Sequence, residues 1–204
     1  MKLYYWPKTR AFRALWMLEE IGAAYELVPV NIRAHEQDGD AFHRVNPMAK
    51  LPALEDGGMP FGESGAVLLY LADRYPAAGL GVPLDDPLRG RFLQWMNFTP
   101  ACLEPAMAEK FTGAAGNPAA FGWGSLERVQ QALDATLDGQ PWLLGERFSA
   151  ADILLVNTLE IALSAGLLPR EGRYGAYVDR AHARDGYRRA CAVEARELAR
   201  LMPG

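Results

Sequence analysis

A chain of 204 residues, half of them hydrophobic, is long enough to bury the core of one large domain or two small ones. Its 21 basic and 25 acidic residues are spread along the chain and sum to a formal net charge of -4, which argues against nucleic acid or an anionic membrane surface as a partner. Cys102 and Cys191 lie far apart and His35, His43 and His182 are scattered, so neither a disulfide framework nor a metal site is expected, and a reducing, cytoplasmic setting fits. The first residues lack the apolar core of a signal peptide, and no run approaches the roughly 18 apolar residues of a membrane span.

The chain opens on the aromatic and apolar residues 2–6, which stop at Pro7 and read as a short strand ending in a turn. From Ala11 to Ile21 the apolar residues Phe12, Leu15, Trp16, Leu18 and Ile21 recur at helical spacing, Glu19 and Glu20 face away, and Gly22 supplies the stop. Residues 25–32 then form a second strand. This β-α-β unit requires parallel strands with a right-handed crossover. The polar stretch 33–45 is read as an irregular helix or a mobile loop.

Residues 50–76 carry the densest set of local signals. Ala53–Asp56 and a strand over residues 59–61 flank Gly57-Gly58, two residues that tolerate the positive φ angles of a tight hairpin. Pro60 cannot donate to a ladder, which puts the second strand at a sheet edge. Glu63-Ser64 precedes an apolar helical run, with Ser64 as its N-cap and Tyr75-Pro76 as its end. Read locally, that helix start suits a small acidic ligand.

Residues 76–87 have the Pro and Gly content of a linker, and everything beyond reads helical. Residues 88–111 form a long helix that Pro100 and Pro105 should bend, and a Gly- and Pro-rich loop covers 112–124. A second helix carries Leu126, Val129, Leu133 and Leu137. Phe148-Ser149-Ala150-Ala151-Asp152-Ile153 has the spacing of a capping box with a hydrophobic staple, opening a helix apolar around most of its circumference. Residues 172–200 supply one or two more helices.

A β-α-β, β-β-α domain followed by a helical one resembles the cytosolic glutathione transferases. The likeness is carried by Lys2-Leu3-Tyr4-Tyr5, Thr9-Arg10, residues 16–20, Asn46-Pro47, residues 50–54, Glu63-Ser64-Gly65-Ala66, Tyr70-Leu71 and residues 148–152, in that family's order and spacing. It implies a thioredoxin-like α/β domain over 1–77, a linker over 78–87, an all-α domain over 88–204, and a homodimer. It also implies glutathione as co-substrate, with no metal.

By resemblance, Pro52 is cis and Leu51 pairs its backbone with the cysteinyl unit of glutathione. Lys50 meets the glycyl carboxylate, while Glu63 and Ser64 meet the γ-glutamyl ammonium and carboxylate. The reacting thiol needs a hydroxyl donor to hold it as thiolate. Thr9 is favoured over Tyr5, with Tyr4 behind them, although a threonine departs from the tyrosine, serine or cysteine of the family. The electrophile pocket is expected between the domains, lined by Trp6, Phe98, Met107 and Phe111. The implied activity is conjugation of glutathione to small hydrophobic electrophiles or reduction of organic peroxides. A ligand carrier with little chemistry is the alternative; a thiol-disulfide oxidoreductase is disfavoured because no cysteine lies near the first helix.

Overall fold

The computed structural model describes residues 1–114 and 116–202, so Ala115, within the loop expected over 112–124, and the last two residues of the expected helical domain lie outside the described residues. In chain order the first elements are β1 (Lys2–Tyr5), α1 (Ala11–Ile21), β2 (Glu26–Pro29), α2 (Asp40–His43), β3 (Ala53–Asp56), β4 (Met59–Gly62) and α3 (Ser64–Arg74). They are followed by α4 (Arg89–Phe98), α5 (Glu104–Thr112), α6 (Leu126–Leu137), α7 (Ala150–Ser164), α8 (Arg173–His182) and α9 (Asp185–Leu201). Among the described residues no helix is long and apolar enough to cross a membrane.

Two compact units result, and they divide the chain differently from the expected 1–77, 78–87 and 88–204. One holds Met1–Ala78 together with Ala183–Gly204, the other Gly79–His182. The first is the thioredoxin-like half. Its sheet has the order β2-β1-β3-β4, with β1 parallel to β2 and antiparallel to β3, and β3 antiparallel to β4. The hairpin between β3 and β4 turns on Gly57 at φ 58° and Gly58 at φ 79°, the paired left-handed conformations that glycine adopts without steric cost. Pro60 lies in β4, at the sheet edge, where its missing N–H costs no ladder bond.

Helix α1 starts and stops where the periodicity places it, ending on Gly22 at φ 72°. Its exposure differs from the amphipathic expectation. Every residue from Ala11 to Leu18 is buried, Arg13 included, because α3 and α9 both pack on it within this unit. Glu19 and Glu20 are not solvated. Glu20 accepts from Trp16 Nε1 at 2.9 Å and forms a two-pronged pair with Arg184 at 2.8 and 2.9 Å, while Glu19 meets Arg189 Nε at 3.3 Å. The planar guanidinium fork of Arg184 matches both carboxylate oxygens, so α9 is keyed to α1 by shape as well as by charge. Residues 33–45, read as an irregular helix or a mobile loop, are organised into two 3-10 turns and α2, with Asn31 Oδ1 capping the first turn by accepting from Arg33 and Ala34 N–H at 3.0 and 3.2 Å.

In the second unit the expected long helix is continuous over 89–112, but the chain between α4 and α5, Thr99–Leu103, is a π-helical turn. Pro100 has no N–H for the preceding turn, and widening the helix by one residue accommodates that gap without a sharp break. Helix α7 lies in the middle of this unit, buried at ten of its fifteen positions. Its start is held by Asp152, which is fully buried and accepts the Ser149 N–H and hydroxyl, both at 2.8 Å. The same carboxylate accepts Leu143 N–H at 2.9 Å and the Tyr177 hydroxyl at 2.5 Å. Burial pushes the Asp152 carboxyl upward in pKa, and these hydrogen bonds pull the other way.

Candidate functional site

The register of the sheet gathers the sequence-marked residues of the first unit at one end. Tyr4 of β1 stands opposite Ala53 of β3, and Ala53 opposite Gly62 of β4. The chain leaving β1 through residues 6–9, the chain entering β3 through Lys50, Leu51 and Pro52, and the chain leaving β4 into Glu63 and Ser64 therefore emerge together. Trp6, Thr9 and these five residues are neighbours by topology alone.

The Leu51-Pro52 peptide bond is cis. Leu51 packs its side chain on a small core of Val30, Phe42 and Ala53, Pro52 is buried, and Lys50 is exposed. Across the hairpin, Ser64 is the first residue of α3 rather than its cap. The cap is Glu63, held at φ 67° and ψ 118°, a conformation that a residue with a Cβ adopts only when its surroundings impose it. Glu63 is exposed, Ser64 is half-buried, and no side chain caps the helix start. The N–H groups of the first turn of α3, carrying the partial positive charge of a helix N-terminus, thus face the place where β3 begins.

Between β1 and α1 the backbone makes a second left-handed step, at Lys8 with φ 62°. Thr9 follows, half-buried. Its hydroxyl donates to the Trp6 carbonyl at 2.7 Å and accepts the N–H of Ala11, the first residue of α1, at 3.2 Å, while the N-cap of the helix is Arg10. The Lys8 N–H is received by Glu194 of α9 at 3.0 Å, and the same carboxylate oxygen receives the Tyr5 hydroxyl at 3.0 Å.

That last bond bears on the expectation for Tyr5. The side chain is fully buried, and burial followed by the adjacent Glu194 charge raises its pKa far above the ordinary tyrosine value. To donate to sulfur, this phenol would have to give up a hydrogen bond to a charged acceptor, which is worth more than one to a neutral carbonyl. Tyr4 is likewise engaged, donating to Glu55 at 2.9 Å beside the Lys2–Glu55 pair. Tyr5→Phe is therefore expected to leave the pH-rate profile of any thiol chemistry unchanged while costing about 1.5–3 kcal/mol of stability, the range for a hydrogen bond to a charged group. Urea denaturation and a pH-rate profile of the same variant check both halves; a displaced alkaline limb would return Tyr5 to the chemistry.

The residues expected to line an electrophile pocket are drawn from both units. Trp6, in the first unit, is 3% exposed. In the second, Met107 is also 3% exposed and serves the core, whereas Phe111 at the end of α5 is 55% exposed. Phe98 lines a cavity of about 230 Å³ whose other walls include Cys102, Phe121, Trp123 and Arg128. Neither Met107 nor Phe111 borders it. Burial raises the Cys102 thiol pKa, which makes it a poorer nucleophile than an ordinary cysteine. Glu194 and Asn46 are the structural contributors that the residue-by-residue reading missed. The Asn46-Pro47 pair was the one signal for the second, and nothing local marks the first.

The family model for the glutathione S-transferase N-terminal domain matches residues 1–73, and that for the C-terminal domain matches residues 124–173. The chain is 30% identical to glutathione S-transferase GstA of Escherichia coli O157:H7 over 172 residues, which is 82% of this chain and 85% of that protein. It is 34% identical over 167 residues, 74% of this chain and 75% of the relative, to the disulfide-bond oxidoreductase YfcG of Escherichia coli K12. Among solved structures, a sphingomonad glutathione S-transferase complexed with glutathione superposes with a TM-score of 0.79 at 31% identity, covering 96% of this chain and 99% of the other. The fold, the two matched domains and these full-length similarities lead to one conclusion: the chain belongs to the glutathione S-transferase family.

Proposed function

We propose that the protein binds glutathione at this end of the sheet, holds its sulfur as thiolate, and transfers it to a small hydrophobic electrophile. The observation that carries the reading is the register that brings Thr9, the cis Leu51-Pro52 segment and the start of α3 to one place. Each part suits one part of the tripeptide. The N–H groups and hydroxyl at Ser64 match the γ-glutamyl carboxylate, and the Glu63 carboxylate matches the adjacent ammonium. Leu51 offers backbone to the cysteinyl unit, and the exposed Lys50 offers charge to the glycyl carboxylate.

Thr9 is the activating hydroxyl in this reading. Its oxygen is anchored by the Ala11 N–H, and its proton, which rests on the Trp6 carbonyl, turns about the Cβ–O bond toward a thiolate. The positive end of α1 adds to the stabilisation. A solved relative complexed with glutathione supports the ligand, and the commitment of Tyr5 and Tyr4 to carboxylates supports the donor.

A second reaction of the same thiolate is favoured by the similarity to a disulfide-bond oxidoreductase. Bound glutathione thiolate attacks one sulfur of a disulfide, forms a mixed disulfide, and expels the other sulfur as thiolate. Two electrons and both sulfurs are accounted for without a protein cysteine. No cysteine stands in the sequence around α1, and because this exchange needs none, that does not decide against the chemistry.

Calorimetric titration with glutathione, followed by ultraviolet titration of the thiolate in the complex, tests the reading. The expected result is saturable binding and a bound thiol pKa well below the ordinary value of about 8.5. Binding with an unshifted thiol pKa would leave a glutathione carrier, and no binding would remove the site altogether.

A further inference from the structure

Asn46 is buried to 6% exposure, and its side chain is spent entirely on placing backbone. Its Nδ2 donates to the Lys50 carbonyl at 2.8 Å, and its Oδ1 accepts the Met48 N–H at 3.1 Å. Its own carbonyl accepts the Ala49 N–H at 2.9 Å, and its N–H donates to Phe42 at 2.8 Å. The loop 46–50 is thus wound around one carboxamide. That winding holds Ala49 in the left-handed region at φ 54°, a conformation alanine does not hold without such external bonds.

The other face of the same carboxamide lies against Gly62. A Cβ at that position would stand 2.6 Å from Asn46 Nδ2, so one of the two would have to shift, and a tight 3.0 Å from its Cγ. Gly62 has no positive φ to account for it, so close approach is the reason this position takes glycine. Gly62 is the last residue of β4, and Glu63, at φ 67°, follows directly. One buried side chain therefore touches both the segment that presents Lys50 and Leu51 and the corner that presents Glu63 and Ser64.

Resting on the glutathione site argued above, we propose that Asn46 is its positioning residue. The carboxamide fixes the spacing between the Lys50-Leu51 segment and the Gly62-Glu63 corner, so that a single tripeptide meets both at once. Asn46 touches no substrate in this scheme. Its effect is preorganisation: two backbone segments are held in binding geometry before the ligand arrives, and the cost of ordering them is not charged to binding.

Four variants test the assignment by glutathione calorimetry and steady-state kinetics. Asn46→Asp keeps the size and the acceptor for Met48 N–H but sets an oxygen against the Lys50 carbonyl. Gly62→Ala keeps Asn46 and drives a methyl into it. Each is expected to weaken glutathione binding about tenfold, the equivalent of about 1.4 kcal/mol, with kcat at saturating glutathione held within about twofold. In Asn46→Ala/Gly62→Ala the methyl enters vacated space, and the loss is expected to fall short of the product of the single losses of Asn46→Ala and Gly62→Ala.

A merely structural asparagine gives the opposite split, with a lowered kcat or active fraction and an unchanged Kd, and that result overturns the proposal. So does a Kd within about twofold of wild type in Gly62→Ala, which decides alone if the Asn46 variants do not fold. Failure of the site itself is told apart by the wild-type arm: a wild-type protein that takes no glutathione removes the site, whereas wild-type binding with unaffected variants removes only the role of Asn46.

Discussion

Thr9→Val is expected to lower turnover at pH 6.5 by roughly fiftyfold and to recover most of it above pH 9. The estimate follows from the thiol alone: returned to its ordinary pKa of about 8.5, glutathione is only about one part in a hundred thiolate at pH 6.5, whereas a thiol held near 6.5 is half ionised. The sign is fixed by the direction of that change. Removing a donor to the thiolate raises the bound thiol pKa, so the limb on which rate climbs with pH moves up by about two units. Valine keeps the shape and branching of threonine, which makes the hydroxyl the only group lost. Thr9→Ser keeps the hydroxyl and frees χ1, and is expected to stay within about threefold of wild type at every pH.

Stability does not discriminate here, because the Thr9 hydroxyl also accepts the Ala11 N–H at 3.2 Å. Its loss costs about 0.5–1.5 kcal/mol as a hydrogen bond whatever its part in catalysis. The pH-rate profile does discriminate. If Thr9→Val keeps the wild-type limb, the donor is elsewhere and the assignment fails, and Tyr5→Phe run beside it shows whether the phenol has been misjudged.

The choice between Thr9 and Tyr5 could not be made from the residues in order, and the reason is distance along the chain. Tyr5 donates to Glu194, which is 189 positions away and carries no local mark of its partner. The burial of every residue from Ala11 to Leu18 was hidden in the same way, since the second face of that helix is covered by α9, a segment that any linear reading assigns to the helical half. Features held by near neighbours were legible. The Gly57-Gly58 hairpin, the stop at Gly22 and the Asp152 hydrogen bonds to Ser149 each depend on residues within a few positions, and each stands where spacing placed it. Ser64 marks the boundary between the two kinds. An acid-hydroxyl pair announced a helix start correctly, but the left-handed Glu63 took the cap and moved Ser64 inside, a shift produced by the fold around Gly62.

Asp152 gives the largest expected effect on stability. Asp152→Ala strands four donors at once: the Ser149 N–H and hydroxyl, the Leu143 N–H and the Tyr177 hydroxyl. All three partner residues are at most 2% exposed, so water cannot replace the lost acceptor. Removing one partner of a buried charged network costs about 3–5 kcal/mol, and for a chain with an ordinary stability of about 5–15 kcal/mol that is a large share of the whole.

Asp152→Asn separates two contributions that alanine merges. It keeps one acceptor oxygen and turns the other into a donor facing N–H and O–H groups, which breaks half of the network. It also removes the charge whose burial raises the Asp152 pKa, and that relief offsets part of the loss. The asparagine variant is therefore expected to lose about 1–3 kcal/mol, between wild type and alanine. Tyr177→Phe, which deletes a single donor to the same oxygen as Leu143, is expected to lose about 1.5–3 kcal/mol and to lose less when combined with Asp152→Asn than when made alone. Urea midpoints of wild type and the four variants measure this order. An asparagine variant as stable as wild type would mean that geometry alone, and not the carboxylate, holds the start of α7.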